Sequence, residues 1–355
     1  MKVHEVGSVS GYLETVSKIA KKAPDSGIVW FRGISDWHYS LIPSLYREKE
    51  LFYYEREKCG YTSIHYAEDM RTQHYIAKNY HFYDKLPASR VEWLEVMQHH
   101  QAKTRVLDWS ESSIHSLLFA VEPFIDTNKY PIEVRKKQMP CVWVLHPQRL
   151  NHMIFLYLLD HSDFWEKLMR TEMELSDDEV AELRRRMDSF KKLNEKADNW
   201  ESMKRLNNIV NLSAINDEVL RDRSRLKEML CHGEILLVFY LLSRIYSDGY
   251  LLSERDLQPL AVVQAYHSMR IKEQKGVFTV FPVYQEQEND CYLRRAGFDP
   301  NGMQYMQGAD EWLERIDLRN PGKIAKELLQ NGVRDSWLYP ENPIVANEIE
   351  NCNLT

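Results

Sequence analysis

Short runs of β-branched and aromatic residues recur along this chain at unequal distances, and that spacing constrains the fold more than any other feature. "IVWF" covers 28–31, "CVWVLHP" covers 141–147 and "GVFTVFP" covers 276–282. Each is short, apolar and bounded by glycine or proline, which fits a buried strand better than a helix. Between the second and third runs the text changes. From about Arg149 to Leu252 it holds long charged stretches such as "DDEVAELRRRMDSFKKLNEKADNW", with apolar residues three and four apart and hardly any glycine or proline. That is helical text. The reading is therefore an α+β protein: a mixed or split β-sheet with flanking helices, built from 1–148 and 253–355, and interrupted by a helical insertion or subdomain at 149–252. "GEILLVFYLLSRIYSDGYLL", inside the insertion, is broken by Ser243 and Arg244 and reads as a buried helix rather than a membrane span. Near the start, Gly11 to Lys22 carries Leu13, Val16 and Ile19 at helical spacing, with Ser10 as its N-cap.

Composition narrows the class. At 355 residues, 44% hydrophobic and 28% charged, the chain can bury a sizeable core. A net charge of -7 supplies no global attraction for nucleic acid or anionic lipid, so such a partner needs a local basic patch. Cys59, Cys141, Cys231, Cys291 and Cys352 lie far apart, without the pairing of a disulfide framework or a zinc site. No 18-residue apolar run occurs, and "MKVHEVGSVSGYLETV" lacks a signal-peptide core. The expectation is a soluble cytoplasmic protein with reduced thiols, no membrane partner and no metal: His74 and His81 share a spacing but have no third ligand.

Two stretches carry chemistry. In "IVWFRGISDWHYSLIPSLYR" a single arginine, Arg32, stands behind large apolar residues and before Gly33, where a strand-to-turn junction needs no cation. In "EVMQHHQAKTRVLDWSESSIHSLLFAVEPF", Gln98, His99, His100, Thr104, Arg105, Asp108 and Trp109 crowd one connection. "Asp-Trp-Ser" reads as a helix start, capped by Asp108 or Ser110, with Ile114, Leu117, Leu118 and Val121 as the buried stripe behind it. A helix N-terminus there suits a phosphate or carboxylate, and Arg105 adds a bidentate donor. The structural alternatives stand beside these readings. Arg32 pairs with Asp36 or Asp108, Asp108 is a cap or an arginine partner, and Trp109 is core. Adjacent His99 and His100 point in different directions on a helix, so at most one faces a site. "RRRMDSFKKLNEKADNWESMKRLNN" is either a solvated helix face or a surface for RNA or DNA.

Taken in order, "WFRGISDWHYSLIPSLYR", "QHHQAKTRVLDWS" with "LLFA", "RIKEQKGVFT" and "NGVRDSWLYP" resemble the FRG domain, named for its Phe-Arg-Gly signature. The resemblance covers 28–145 and 259–345 and leaves the insertion aside. The chain departs from the family pattern at Ile34, where a polar residue is common, and at Gln101 and Lys103, where glycine and proline are usual.

The FRG pattern in turn resembles the ADP-ribosyltransferase fold, whose first strand ends in an arginine that holds NAD. The resemblance implies that Arg32, Gly33, Thr104, Arg105, Asp108 and Trp109 line an NAD site, with NAD as substrate. It also implies a late-strand glutamate near the ribose, for which Glu273, Gln274 and Glu341 are the candidates, with His99 as a base or ribose-orienting group. Three functions follow from it. One is an NAD-dependent ADP-ribosyltransferase acting as an intracellular toxin or phage-defence effector on a macromolecule, RNA or DNA ahead of protein, and held in check by an antitoxin or neutralising protein. The second is an NAD hydrolase, and the third a non-catalytic nucleotide-binding module.

Overall fold

The computed structural model describes residues 1–23, 28–47, 64–83, 86–87, 89–125, 130–194, 238, 240–247, 258–263, 269–282, 302–334 and 337. Seven strands form one sheet: β1 Lys2–Val6, β2 Trp30–Ile34, β3 Val106–Ser110, β4 Cys141–Leu145, β5 Leu260–Val262, β6 Gly276–Val280 and β7 Leu313–Leu318. Their order is β1-β7-β4-β2-β3-β6-β5. β1 runs parallel to β7 and every other pairing is antiparallel, so the sheet is mixed. The three apolar runs of the sequence are β2, β4 and β6. "KVHEV" and "LERIDL", which mix charged and apolar residues, add β1 at the edge and β7 beside it.

The sheet is two halves joined at one point. β2 and β4 pair over five residues, as do β3 and β6, but β2 and β3 meet only at Phe31 and Ser110. Beyond that pair the ladder stops, which leaves backbone groups of both strands in need of other partners.

Alternation along the strands divides the core. Phe31, Val142, Val144, Ile316 and Leu318 face α1 (Val9–Ala20), α4 (Ser113–Ile125) and α8 (Pro321–Gln330). Trp30, Cys141, Trp143 and Leu145 face the other way, into a larger cluster with α3 (Arg90–His99) and α5 (Pro147–Asp160). α2 (Ile64–Asn79) lies beside α3. The helix α1 is capped by Ser8, whose Oγ accepts from Gly11 N–H at 3.2 Å, two residues before the expected Ser10. Glu327 fixes that boundary by accepting the Val9 N–H at 2.7 Å.

Between Arg149 and Asn194 the text is helical: α5, α6 (Ser162–Glu172) and α7 (Asp177–Asn194) follow one another. A capping box opens α7, where Ser176 Oγ accepts from Glu179 N–H at 3.3 Å and Glu179 accepts from Ser176 N–H at 2.8 Å. Trp165, Leu168, Met187, Val238, Leu241 and Ile245 are buried in the same cluster as Trp30 and Trp143. These helices therefore share one core with the sheet, and of the apolar stretch Val238, Tyr240, Leu241 and Leu242 are buried. No helix among the described residues is long and apolar enough to cross a membrane.

Candidate functional site

Where β2 and β3 part, Arg32 bridges them. Its Nη1 donates to the main-chain carbonyl of Asp108 and lies 2.7 Å from the Asp108 carboxylate. The guanidinium thus takes an acceptor that a continuing ladder would have used. The contact sits at an open mouth, since the Arg32 side chain is 19% exposed and that of Asp108 is 59% exposed. Asp36, the other partner open to Arg32 in the sequence, instead holds His38 at 2.7 Å.

A second arginine stands here that sequence reasoning did not single out. Arg47 ends the 3-10 turn Ser44–Arg47 and is exposed. Partial desolvation, then the Arg32 charge, lower its hold on a proton, and Asp108 opposes them. Desolvation pushes the Asp108 carboxyl up, but Arg32 above all, with Arg47, holds it below the usual carboxylate range. One guanidinium, that of Arg32, thus contacts the carboxylate, and Arg47 acts on it electrostatically. Among the described residues, Arg32 Nε and Nη2 have no hydrogen-bond partner, and neither has the Arg47 guanidinium.

Behind the arginines runs a polar chain. Thr104 Oγ1 donates to Gln98 Oε1 at 2.6 Å, and Gln98 Nε2 donates to Asp108 Oδ1 at 2.9 Å. Gln98 lies in the last turn of α3, which closes in a Schellman motif: Ala102 N–H bonds Met97 O and Gln101 N–H bonds Gln98 O, both at 2.9 Å. Gln101 has φ 65, the left-handed conformation that glycine adopts most easily.

Several expected contacts are corrected. "Val-Leu-Asp-Trp-Ser" is strand β3, not a helix start, because it pairs along its whole length with β6. Helix α4 begins three residues after Ser110, with Ser112 Oγ accepting from His115 N–H at 3.3 Å. No helix N-terminus is therefore formed at Asp108. Arg105 does not face the mouth: it is fully buried, with Nε 2.8 Å from Glu68 of α2 and Nη1 donating to Phe281 O at 2.7 Å. Thr104 is likewise sealed from solvent, and Trp109 is core, its Nε1 donating to Thr279 Oγ1 at 3.1 Å. Gly33 faces α4 rather than a ligand, since a Cβ there would lie 1.7 Å from the Ser116 carbonyl oxygen.

The acid candidates sit further along β3. Gln274 is half-buried, and its carbonyl accepts from Ser110 Oγ at 2.6 Å. Glu273 is exposed at the end of the short helix Met269–Glu273, just before β6. Glu341 lies outside the described residues. His99 stands next to Gln98, its ring centroid 5.0 Å from that of His100. The structure thus places Arg32, Asp108, Gln98 and Thr104 in one contact chain, with Arg47 in electrostatic reach, and puts Gln274 on the neighbouring strand end. Among the described residues no metal-binding group of histidine, cysteine and acid side chains occurs.

The basic helix is less free than its sequence reads. Arg184 pairs with Glu166 and lies 3.7 Å from Asp163, Arg185 lies 2.6 Å from Glu182, and Lys191 pairs with Asp160. Lys204 lies outside the described residues.

These features define a class: an α+β protein whose sheet halves are bridged by an arginine–aspartate contact partly open to solvent. Compared with known families, residues 27–129 match the FRG domain. That segment holds β2, Arg32, Arg47, α3, β3 and α4, and so all of the Arg32–Asp108 cluster. No curated protein and no solved structure matched the chain.

Proposed function

We propose that the mouth between β2 and β3 binds the phosphates of a nucleotide, with NAD as the ligand, and that the protein is an ADP-ribosyltransferase acting on a macromolecule. One observation carries the ligand class: Arg32 meets Asp108 through Nη1 alone and keeps its other guanidinium donors unspent, with Arg47 in electrostatic reach. Forked, permanently charged donors at an exposed mouth suit phosphate oxygens. The step from nucleotide to NAD rests on the FRG signature and its likeness to ADP-ribosyltransferases, not on a matching structure.

In the reaction the bond between the ribose C1′ and the nicotinamide nitrogen breaks, nicotinamide leaves with the bonding pair, and an acceptor oxygen or nitrogen attacks C1′. Arg32 and Arg47 hold the pyrophosphate so that the ribose is presented in a fixed pose. Glu273, exposed at the end of the short helix before β6, is the carboxylate assigned to the ribose, where it stabilises the oxocarbenium-like charge. A toxin or defence role restrained by a neutralising protein belongs to the same proposal. So does an RNA or DNA acceptor, although Arg184, Arg185 and Lys191 are each drawn to nearby carboxylates.

Labelled NAD incubated with the protein and a cell lysate tests the reading. Label on protein, RNA or DNA marks the transferase, free nicotinamide without label marks a hydrolase, and binding without either marks a nucleotide-binding module. Arg32→Lys is expected to lower NAD affinity by about 1.5–3 kcal/mol, because an ammonium cannot hold Asp108 and a phosphate with separate nitrogens. Calorimetry shows this as a raised Kd at an almost unchanged Tm. Unchanged affinity with a lowered Tm would make the Arg32–Asp108 pair purely structural.

A further inference from the structure

We propose that Thr104 and Gln98 are positioning residues that fix the Asp108 carboxylate and, through it, the outward edge of Arg32, while Thr104 also seats the turn that carries Arg47. The inference rests on reading the mouth as an anion site and adds the parts that hold its two arginines in place. Neither residue is placed to touch the ligand: Thr104 is fully buried and Gln98 half-buried behind Asp108.

Chemistry fixes the direction of the chain. Asp108 is acceptor-only when ionised, so Gln98 must turn its NH2 group toward Oδ1 and its oxygen toward Thr104. Thr104 Oγ1 then spends its proton on Gln98 Oε1 and accepts, at 3.4 Å, from Val106 N–H. One carboxylate oxygen is held by Gln98 and the other by Arg32. Nη1 of Arg32 meets both the carbonyl and the carboxylate of Asp108, so the carboxylate that Gln98 holds is also the one on which the guanidinium rests.

The same threonine holds the second arginine through its main chain. Thr104 N–H donates to Ser44 Oγ at 3.2 Å, and the Thr104 carbonyl accepts from Leu45 N–H at 3.1 Å. These bonds dock the Ser44–Arg47 turn on the strand that carries Asp108. A single residue therefore links both cations, one by its hydroxyl and one by its backbone.

The test uses the full chain, with the Asp108 carboxyl followed by carbon NMR across pH and inorganic pyrophosphate as the calorimetric probe. Removing the Gln98 donor destabilises the ionised form of Asp108, so Gln98→Leu is expected to titrate at higher pH than the parent. Thr104→Val is expected to do the same, because Gln98 loses the partner that orients it. Both should weaken pyrophosphate binding about fivefold, the scale of one hydrogen bond. Thr104→Ser should bring both readouts back. An Asp108 titration that stays put in Gln98→Leu, or a Thr104→Ser protein that behaves as the valine variant, overturns the assignment. Should Thr104→Val fail to fold, Gln98→Leu decides alone. If the parent binds no pyrophosphate while Asp108 moves as described, the anion reading fails and the positioning chain stands.

Discussion

Glu68→Ala is expected to destabilise the fold by about 3–5 kcal/mol, the cost of leaving a buried charge without its partner. Arg105 and Glu68 are 0% and 1% exposed, so neither can recover hydration if the other is removed. The carboxylate accepts twice, from Arg105 N–H at 2.9 Å and from Nε at 2.8 Å, and the guanidinium donates onward to Phe281 O. Helix α2, the start of β3 and the end of β6 are therefore tied at one point. Urea unfolding of Glu68→Ala measures the cost. Replacing both partners by apolar residues, as in Glu68→Leu with Arg105→Met, should recover most of the loss, since it removes the desolvated charges together. If Glu68→Ala costs less than about 1 kcal/mol, the value of a surface pair, Arg105 reaches water and the buried description is wrong.

That ion pair shows where sequence reading stopped. Arg105 lies three residues before Asp108 in a polar cluster, and nothing in the spacing reveals that its partner is in a helix 37 residues upstream. Local density of polar groups singled out Gln98 and Asp108, which a hydrogen bond joins, but it could not separate residues open to solvent from those that brace the fold. Arg47 was overlooked for the converse reason. It ends an irregular turn with no periodicity, and only the bonds from Ser44 and Leu45 to Thr104 bring it near Arg32.

The strands follow the same logic. β2, β4 and β6 were legible because their apolar runs are buried in the middle of the sheet, where both faces are covered. β1 and β7 were not, since their charged and apolar residues keep no period of two and their parallel pairing joins Lys2–Val6 to Glu314–Leu318 across almost the whole chain. In β3 two signals competed. Asp108 and Ser110 are residues that favour helix caps, yet five residues paired with β6 outweigh one cap. Helices α5 to α7 were legible as helix, while their packing into the sheet's own core depends on contacts that periodicity does not encode.

Gly33→Ala is expected to cost about 3 kcal/mol or to prevent folding, although it adds one methyl group. The new Cβ would meet Ser116 O at 1.7 Å, Ser116 C at 2.7 Å and Ala120 N at 2.8 Å. All three are backbone atoms of α4, so no side-chain rotation relieves the clash, and the helix must lift from β2 by roughly 1.5 Å to restore ordinary contact distances. That movement would open the packing of Leu117, Val121 and Phe31, which are buried together between strand and helix. Thermal unfolding measures the effect, and a Tm within a few degrees of the parent would show that α4 does not press on the strand as described. Set beside Arg32→Lys, the result separates the three signature residues. Phe31 fills the core under α4, Gly33 admits α4 to the strand, and Arg32, turned to the opposite face by the strand's alternation, is left for the mouth. A glycine variant that lost NAD binding at unchanged stability would move Gly33 from packing to ligand contact, whereas the clash with α4 predicts the reverse order: stability first, and binding only as its consequence.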